Sequence, residues 1–372
     1  VALIKERELH LDGLRAIAFL LVFISHSPHF FLKPETPYYL EFFYKIYNTL
    51  ADFGWVGVDL FFCLSAYLVT SILLAEEIKT GKINWRKFQL RRILRIWPLY
   101  FLTVAIGFYT ILATDIYPGI TESALWKLAL YLSTFTMNLA IVYGLSGGLP
   151  AIIAPIWSVA MEQQFYLVWG TILRVVKHQT VRIVILSLAL VGSIIYRAKL
   201  MQISPAGAHY IFYLDTFARL DSIVFGACAA IYFSKKSQAS SRSGKWLFAL
   251  CIILFTATLM TSPNILTNRN TFSYLILDFC CLLALLSSFK YAPLRALLST
   301  RALGLLGRIS YPMYLMHPLI IILSPRIFPL EVFNLQGPAF ATLVFIPLFI
   351  LGLILHFIIE KPVAKIKTKL TI

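Results

Sequence analysis

The sequence predicts an all-α, polytopic membrane protein of about ten transmembrane helices, with one further segment that is re-entrant or interfacial. Three observations predict this class. Of 372 residues, 59% are hydrophobic and only 13% are charged, giving a mean hydropathy of +0.79. Soluble domains run about 45–50% apolar and about 25% charged, so a soluble chain of this size would expose far too much apolar surface. Apolar stretches of roughly 20 residues, the length that crosses a bilayer as a helix, recur along the chain. Basic residues alternate between rich and poor connections, the pattern that fixes orientation in a membrane. The same composition excludes a disordered chain, a coiled coil and a disulfide scaffold.

Ten stretches qualify in order, with soft edges: about 12–31, 55–75, 96–114, 157–173, 183–199, 211–233, 246–262, 273–289, 309–325 and 337–359. The first does not read as a convincing secretory signal, because it carries Arg15 and His26 and no small-residue cleavage site follows it. The connection 76–95 holds seven basic residues, and 174–182, 234–245, 290–308, the tail and the N-terminus are basic too. Together they hold 24 of the 33 Lys and Arg residues, so both termini are assigned to the cytoplasm of a cell-membrane protein. Seven basic residues, Arg197 among them, fall in the alternate connections. Residues 124–142 are apolar enough to span, yet a crossing there would invert every later loop against the charge rule. They are therefore read as re-entrant or interfacial on the outer side, followed by the loop Tyr143–Pro155; a cysteine near Ser146 that labels only from the cytoplasm would overturn this. The chain reads as one integral unit, 1–372, with no appended soluble domain and no internal repeat.

The net charge of +16 is a topology signal in such a chain, and no nucleic-acid partner is expected. The five cysteines lie in apolar stretches without a C-x-x-C pair, so they read as buried small hydrophobes and no metal is expected. Gly144–Gly148 fits G-x-S-x-G, but that motif needs the strand–turn–helix elbow of an α/β sheet, which nothing here supplies.

Charges inside spans are costly and mark function or pairing. Arg15 and His26 are eleven residues apart, three turns plus about 20°, so they share one stripe about 16 Å long. Such a stripe suits a path from one face to a reaction centre; the alternative is a snorkelling Arg and a His satisfied by a neighbour. Asp59, Glu162, Arg219 and Asp221 are further candidates. Arg219 and Asp221, at i and i+2, share no helix face, so an ion pair for either needs a partner elsewhere. Asp278 reads as a structural hydrogen bond, and His317 fits packing or a site equally. Arg91, Arg92 and Arg95 cluster where the third span begins, suited either to phosphate or to simple anchoring.

These residues resemble the acyltransferase-3 family of integral membrane acyltransferases. LDGLRAIAFLLVFISH at 11–26 is similar to the family's opening block, with its R-x10-H spacing. FFCLSAYL (61–68), RRILRIWPLY (91–100), WSVAMEQQFYL (157–167), RLDSIVFGA (219–227), GRISYPMYLMHPL (307–319) and IEKP (359–362) follow in family order. Ala66 departs from the family's usual Gly, which bears on helix packing. The resemblance implies ten helices and transfer of an acyl group, often acetyl, from cytoplasmic acyl-CoA. The implied acceptor is a hydroxyl on an envelope glycan, a lipid-linked sugar or a small metabolite. It also implies that Arg15 and His26 are essential. On that reading CoA phosphates dock on Arg91, Arg92 and Arg95. His26 acts as general base or brief acyl carrier, and Glu162 orients its ring. The rival class is a proton-coupled secondary transporter of an anionic solute, which intramembrane Arg, His and carboxylates also suit; the absence of related halves weakens it. A third reading is an inactive relative that only binds partners, against which intact Arg15 and His26 argue.

Overall fold

The computed structural model describes residues 8–29, 37–114, 116–117, 120–145, 150–203, 208–235, 243–261, 271–327 and 337–370, and Ser146 lies outside them. Among the described residues all regular structure is helical. In chain order the helices are α1 (Leu9–Ser25), α2 (Tyr38–Phe53), α3 (Val56–Thr80), α4 (Trp85–Ala113), α5 (Glu122–Ser133), α6 (Met137–Val142), α7 (Ile156–Val175) and α8 (Gln179–Ile203). They continue with α9 (Ala208–Leu214), α10 (Leu220–Lys235), α11 (Ser243–Thr261), α12 (Thr271–Lys290), α13 (Ala292–Leu298), α14 (Arg301–Ile327), α15 (Gly337–Leu355) and α16 (Lys361–Leu370).

Eight of these segments are long and apolar enough to cross a membrane: α3, α4, α8, α10 with the turn before it, α11, α12, α14, and α15 running on to Ile366. Two of the ten expected spans fall outside that set. α1 has only 17 residues, and α7 carries the polar run Glu162-Gln163-Gln164. The lipid-facing helices show their role by exposure: α8 turns Leu188, Val191 and Ile195 outward, whereas α3 is buried along most of its length. α3 packs against α10 and α1, and α1 packs in turn against α14. These contacts need bare backbone. A Cβ on Gly307 of α14 would collide with the Asp12 carbonyl of α1, and small residues at such crossings let membrane helices approach closely.

Two expected elements are interrupted, and one side chain serves both breaks. Residues 124–142 do not form one helix; α5 and α6 are separated at Thr134–Thr136, where Phe135 takes the left-handed φ of 55°. The stretch expected over 211–233 breaks after α9, and Arg219 sits on a short 3₁₀ turn, Phe217–Arg219, rather than inside a span helix. Gln164 of α7 donates to the Phe135 carbonyl (2.8 Å) and to Asn138 Oδ1 (2.9 Å). Its Oε1 accepts from Thr216 (2.6 Å), and Asn138 donates to Thr216 and the Leu214 carbonyl. Irregular backbone survives at membrane depth only when protein groups satisfy it, and this knot supplies them.

Candidate functional site

The stripe on α1 forms as its spacing requires. Arg15 lies in the helix and His26 caps its C-terminal end, exposed. The last carbonyls of a helix lack backbone donors, and the His26 ring meets one of them: Nδ1 lies 2.8 Å from the Val22 carbonyl. A carbonyl only accepts, so Nδ1 carries the hydrogen and the neutral ring keeps its lone pair on Nε2.

His317 stands beside it, with ring centroids 4.8 Å apart. Its tautomer is fixed by the next residue. Pro318 has no N–H, so the Tyr314 carbonyl four residues earlier loses its helical donor. The His317 Nδ1–H fills that place at 2.7 Å. Nε2 of His317 is buried without a hydrogen-bond partner among the described residues. Two imidazoles with matched tautomers thus meet at this end of α1, one exposed and one fully buried.

At the other end of α1 a cavity of about 720 Å³ opens, lined by Arg15, Arg92, Arg95 and Arg308. The same four arginines line a narrow extension of about 120 Å³. Asp12, buried on α1, gathers two of them: Arg15 at 3.2 Å and Arg308 at 4.0 Å. Arg92 is buried with its guanidinium over the rings of Phe88 and Tyr166, and its Nε has no partner. Arg91 does not line either space; it faces Glu76 at 3.8 Å. Only Arg92 and Arg95 of the predicted cluster therefore join Arg15. Glu8 sits on the rim, where burial pushes its carboxyl above the ordinary range against the opposing charge of Arg295. The opposite wall includes the π turn His356–Glu360, whose ends pair at 2.6 Å.

Glu162 does not orient His26. Its Oε1 accepts from Ser65 and Tyr166, and all three line the extension. Glu162 lies one turn along α7 from Ser158, and it is Ser158 that reaches Tyr314, 2.6 Å away. Ser158 also bonds the Pro155 carbonyl, so its hydrogen goes there and the Tyr314 hydroxyl donates to Ser158. The Tyr314 ring lies 5.7 Å from that of His317. The extension thus stops at Tyr314 and Ser158, and neither histidine lines it.

The remaining intramembrane charges pair elsewhere, as their i and i+2 spacing demanded. Arg219 bonds Asp59, both fully buried, inside a cage of Tyr213, Tyr274, Trp55, Trp157 and Phe62 with centroids 4.8–5.9 Å away. Asp221 takes Arg197 in a two-pronged bridge at 2.5 and 3.1 Å. Arg197, assigned to a connection from sequence, is instead buried within α8. Asp278 adds a third buried carboxyl close to Asp59, and neither of its oxygens has a partner at strict hydrogen-bond geometry among the described residues. Among the described residues the cysteines are free, and no cluster of His, Cys, Asp or Glu is placed to hold a metal ion.

Sequence reasoning missed Ser65, Ser158, Tyr166, Tyr314 and Arg308. Ser158, Glu162 and Tyr166 recur at i, i+4 and i+8, a polar stripe that was available as a signal.

A helical bundle with eight helices long and apolar enough to cross a membrane thus carries four arginines around one cavity, with the His26 ring at the far end of α1 meeting His317 of α14. A family model described as an acyltransferase domain matches residues 8–359, and the chain belongs to this family, the acyltransferase-3 membrane acyltransferases. It is 28% identical over 373 residues to the putative peptidoglycan O-acetyltransferase YrhL of Bacillus subtilis, covering 95% of this chain and 54% of that protein. It is 27% identical to the peptidoglycan O-acetyltransferase OatA of Listeria monocytogenes, covering 85% of this chain and 50% of the relative. The O-acetyltransferase OatA of Staphylococcus aureus is 26% identical, with 84% and 51% covered. The chain therefore spans about half the length of these relatives. No solved structure matches it.

Proposed function

We propose that this protein moves an acyl group, acetyl above all, from cytoplasmic acyl-CoA to a hydroxyl of an envelope glycan, a lipid-linked sugar or a small metabolite. The observation that carries the reading is an arginine-lined vestibule at one end of α1 and, about 16 Å along that helix, His26 meeting the tautomer-matched His317 of α14. The basic connections favour the cytoplasm for the Arg15 end, the side on which acyl-CoA is found. Relatives named as peptidoglycan O-acetyltransferases favour acetyl as the group and a glycan as the acceptor.

In this mechanism Arg15, Arg92, Arg95 and Arg308 hold the donor's phosphates, which suit the planar guanidinium fork. His26 Nε2 takes the proton of the acceptor hydroxyl as its oxygen attacks the thioester carbonyl. The new C–O bond forms, the C–S bond breaks, and the imidazolium returns its proton to the departing thiolate. His317, rather than Glu162, is the group beside His26, and its free Nε2 lone pair stabilises the imidazolium. Tyr314 closes the extension, so its ring turns aside for the thioester to reach His26.

The test uses the full chain in vesicles, supplied with labelled acetyl-CoA and envelope glycans. The parent releases CoA and adds one acetyl mass to the acceptor, and His26→Ala does neither. Full transfer by a correctly inserted His26→Ala would refute the mechanism. Uptake of an intact solute without CoA release would favour transport instead.

A further inference from the structure

The narrow extension has a wall with its own chemistry. Ser158, Glu162 and Tyr166 project from one face of α7, a polar stripe about 12 Å long. At its wide end Arg92 covers Tyr166 and keeps an unpartnered, buried Nε–H. At its narrow end Ser158 and Tyr314 bond each other beside His317. Midway, Glu162 commits Oε1 to Ser65 and Tyr166, while Oε2 bonds nothing among the described residues. Between them stand Val58, Phe61 and Ile96. The buried Arg92 Nε–H carries a desolvation penalty unless a ligand meets it, and Glu162 Oε2 is left over to accept from that ligand. The ligand that fits is thin, is apolar along much of its length, and carries both a hydrogen-bond donor and an acceptor between an anionic end and a reactive end.

We propose that this stripe is the station that reads the amide groups of the donor's pantetheine arm. Glu162 Oε2 accepts an amide N–H, Arg92 Nε–H donates to an amide carbonyl, and Ser65 holds the Glu162 carboxylate in place. The station selects pantetheine thioesters over other activated acyl groups and feeds the acyl end toward Tyr314 and the histidines. It rests on the acyl-CoA reading above. A sugar acceptor is a poorer occupant, because a pyranose ring is broad for a space of about 120 Å³.

The test is equilibrium binding to the full chain in micelles, with two probes: CoA, and adenosine 3′-phosphate 5′-diphosphate, which is CoA without the arm. Glu162→Gln keeps an oxygen for Ser65 and Tyr166, so the fold is retained. Glu162→Gln and Ser65→Ala should each weaken CoA about tenfold or more, as loss of a charged hydrogen bond does, and leave the nucleotide within about twofold. Arg95→Gln, at the vestibule, should weaken both. Equal weakening of both probes by Glu162→Gln, or no weakening of CoA, would overturn the station. Failure of the parent to bind either probe would overturn the donor assignment itself, a result distinct from failure of the station.

Discussion

Replacing Asp59 by Asn tests whether the caged Arg219 is architecture or chemistry. Asp59 and Arg219 are both fully buried and bond each other. At an effective dielectric of about 20, two unit charges about 4 Å apart attract by about 4 kcal/mol. Removing one partner of a buried pair leaves the other charge uncompensated and costs about 3–5 kcal/mol. The five surrounding rings remain, yet a cation–π contact contributes only about 0.5–2 kcal/mol. Asp59→Asn should therefore shift the unfolding equilibrium by between two and four powers of ten, at about 1.4 kcal/mol for each. The assay is equilibrium unfolding of the purified chain in mixed micelles. Asp59→Asn combined with Arg219→Met should recover part of the loss, because an apolar side chain of similar length suits the cage. Acyl transfer per folded molecule should survive the double change. A single mutant within about 0.5 kcal/mol of the parent would refute the electrostatic reasoning. Loss of transfer at an unchanged folded fraction would make Asp59 a site residue.

Four further outcomes are expected. Gly307→Ala drives a methyl into the Asp12 carbonyl, so it should destabilise by about 1–3 kcal/mol and loosen the Asp12–Arg15–Arg308 cluster, read as lower thermal stability and weaker CoA binding. Gln164→Leu strips the partners from Phe135, Asn138 and Thr216, at about 1–3 kcal/mol for each group left bare, and hydrogen exchange should rise around 134–138 and 214–216. His317→Phe keeps an aromatic ring beside His26 but removes the buried lone pair; transfer should fall by about a hundredfold with CoA binding unchanged. Glu8 is raised in the folded chain, so it stays neutral above its unfolded value; as pH rises through that window stability is lost, and through the folded value a negative charge appears on the vestibule rim. CoA affinity should then fall a few-fold more steeply with pH in the parent than in Glu8→Gln.

The stripe of Arg15 and His26 was legible because helical phase is simple arithmetic and both residues sit in one helix. The pairing logic of Arg219 and Asp221 was equally legible, since neither could serve the other. Their partners were not, because Asp59 and Arg197 lie on other helices and a single sequence carries no distance information. Arg197 was misplaced for a related reason: hydropathy averages a charge out of a span, yet α8 runs past it and buries it. Glu162 was singled out beside His26, whereas the structure puts it on Ser65 and Tyr166, because depth along α7 does not say which helix faces it. The His317-Pro318 pair was open to sequence reasoning, since a proline always leaves a carbonyl free four residues earlier.

The closure at Tyr314 has an electrical consequence. A membrane potential works on any ion that finds a continuous aqueous path, by about 2.3 kcal/mol per charge for each 100 mV. The arginine vestibule opens at one end of α1, and His26 is exposed at the other. Between them the Tyr314 hydroxyl is fastened to Ser158, and its ring stands edge-on to Phe61 at 5.6 Å. On the proposed function, that short plug would keep ions from crossing between acyl transfers. A variant that shrinks it, such as Tyr314→Ala, should open a leak, measurable as proton conductance in vesicles.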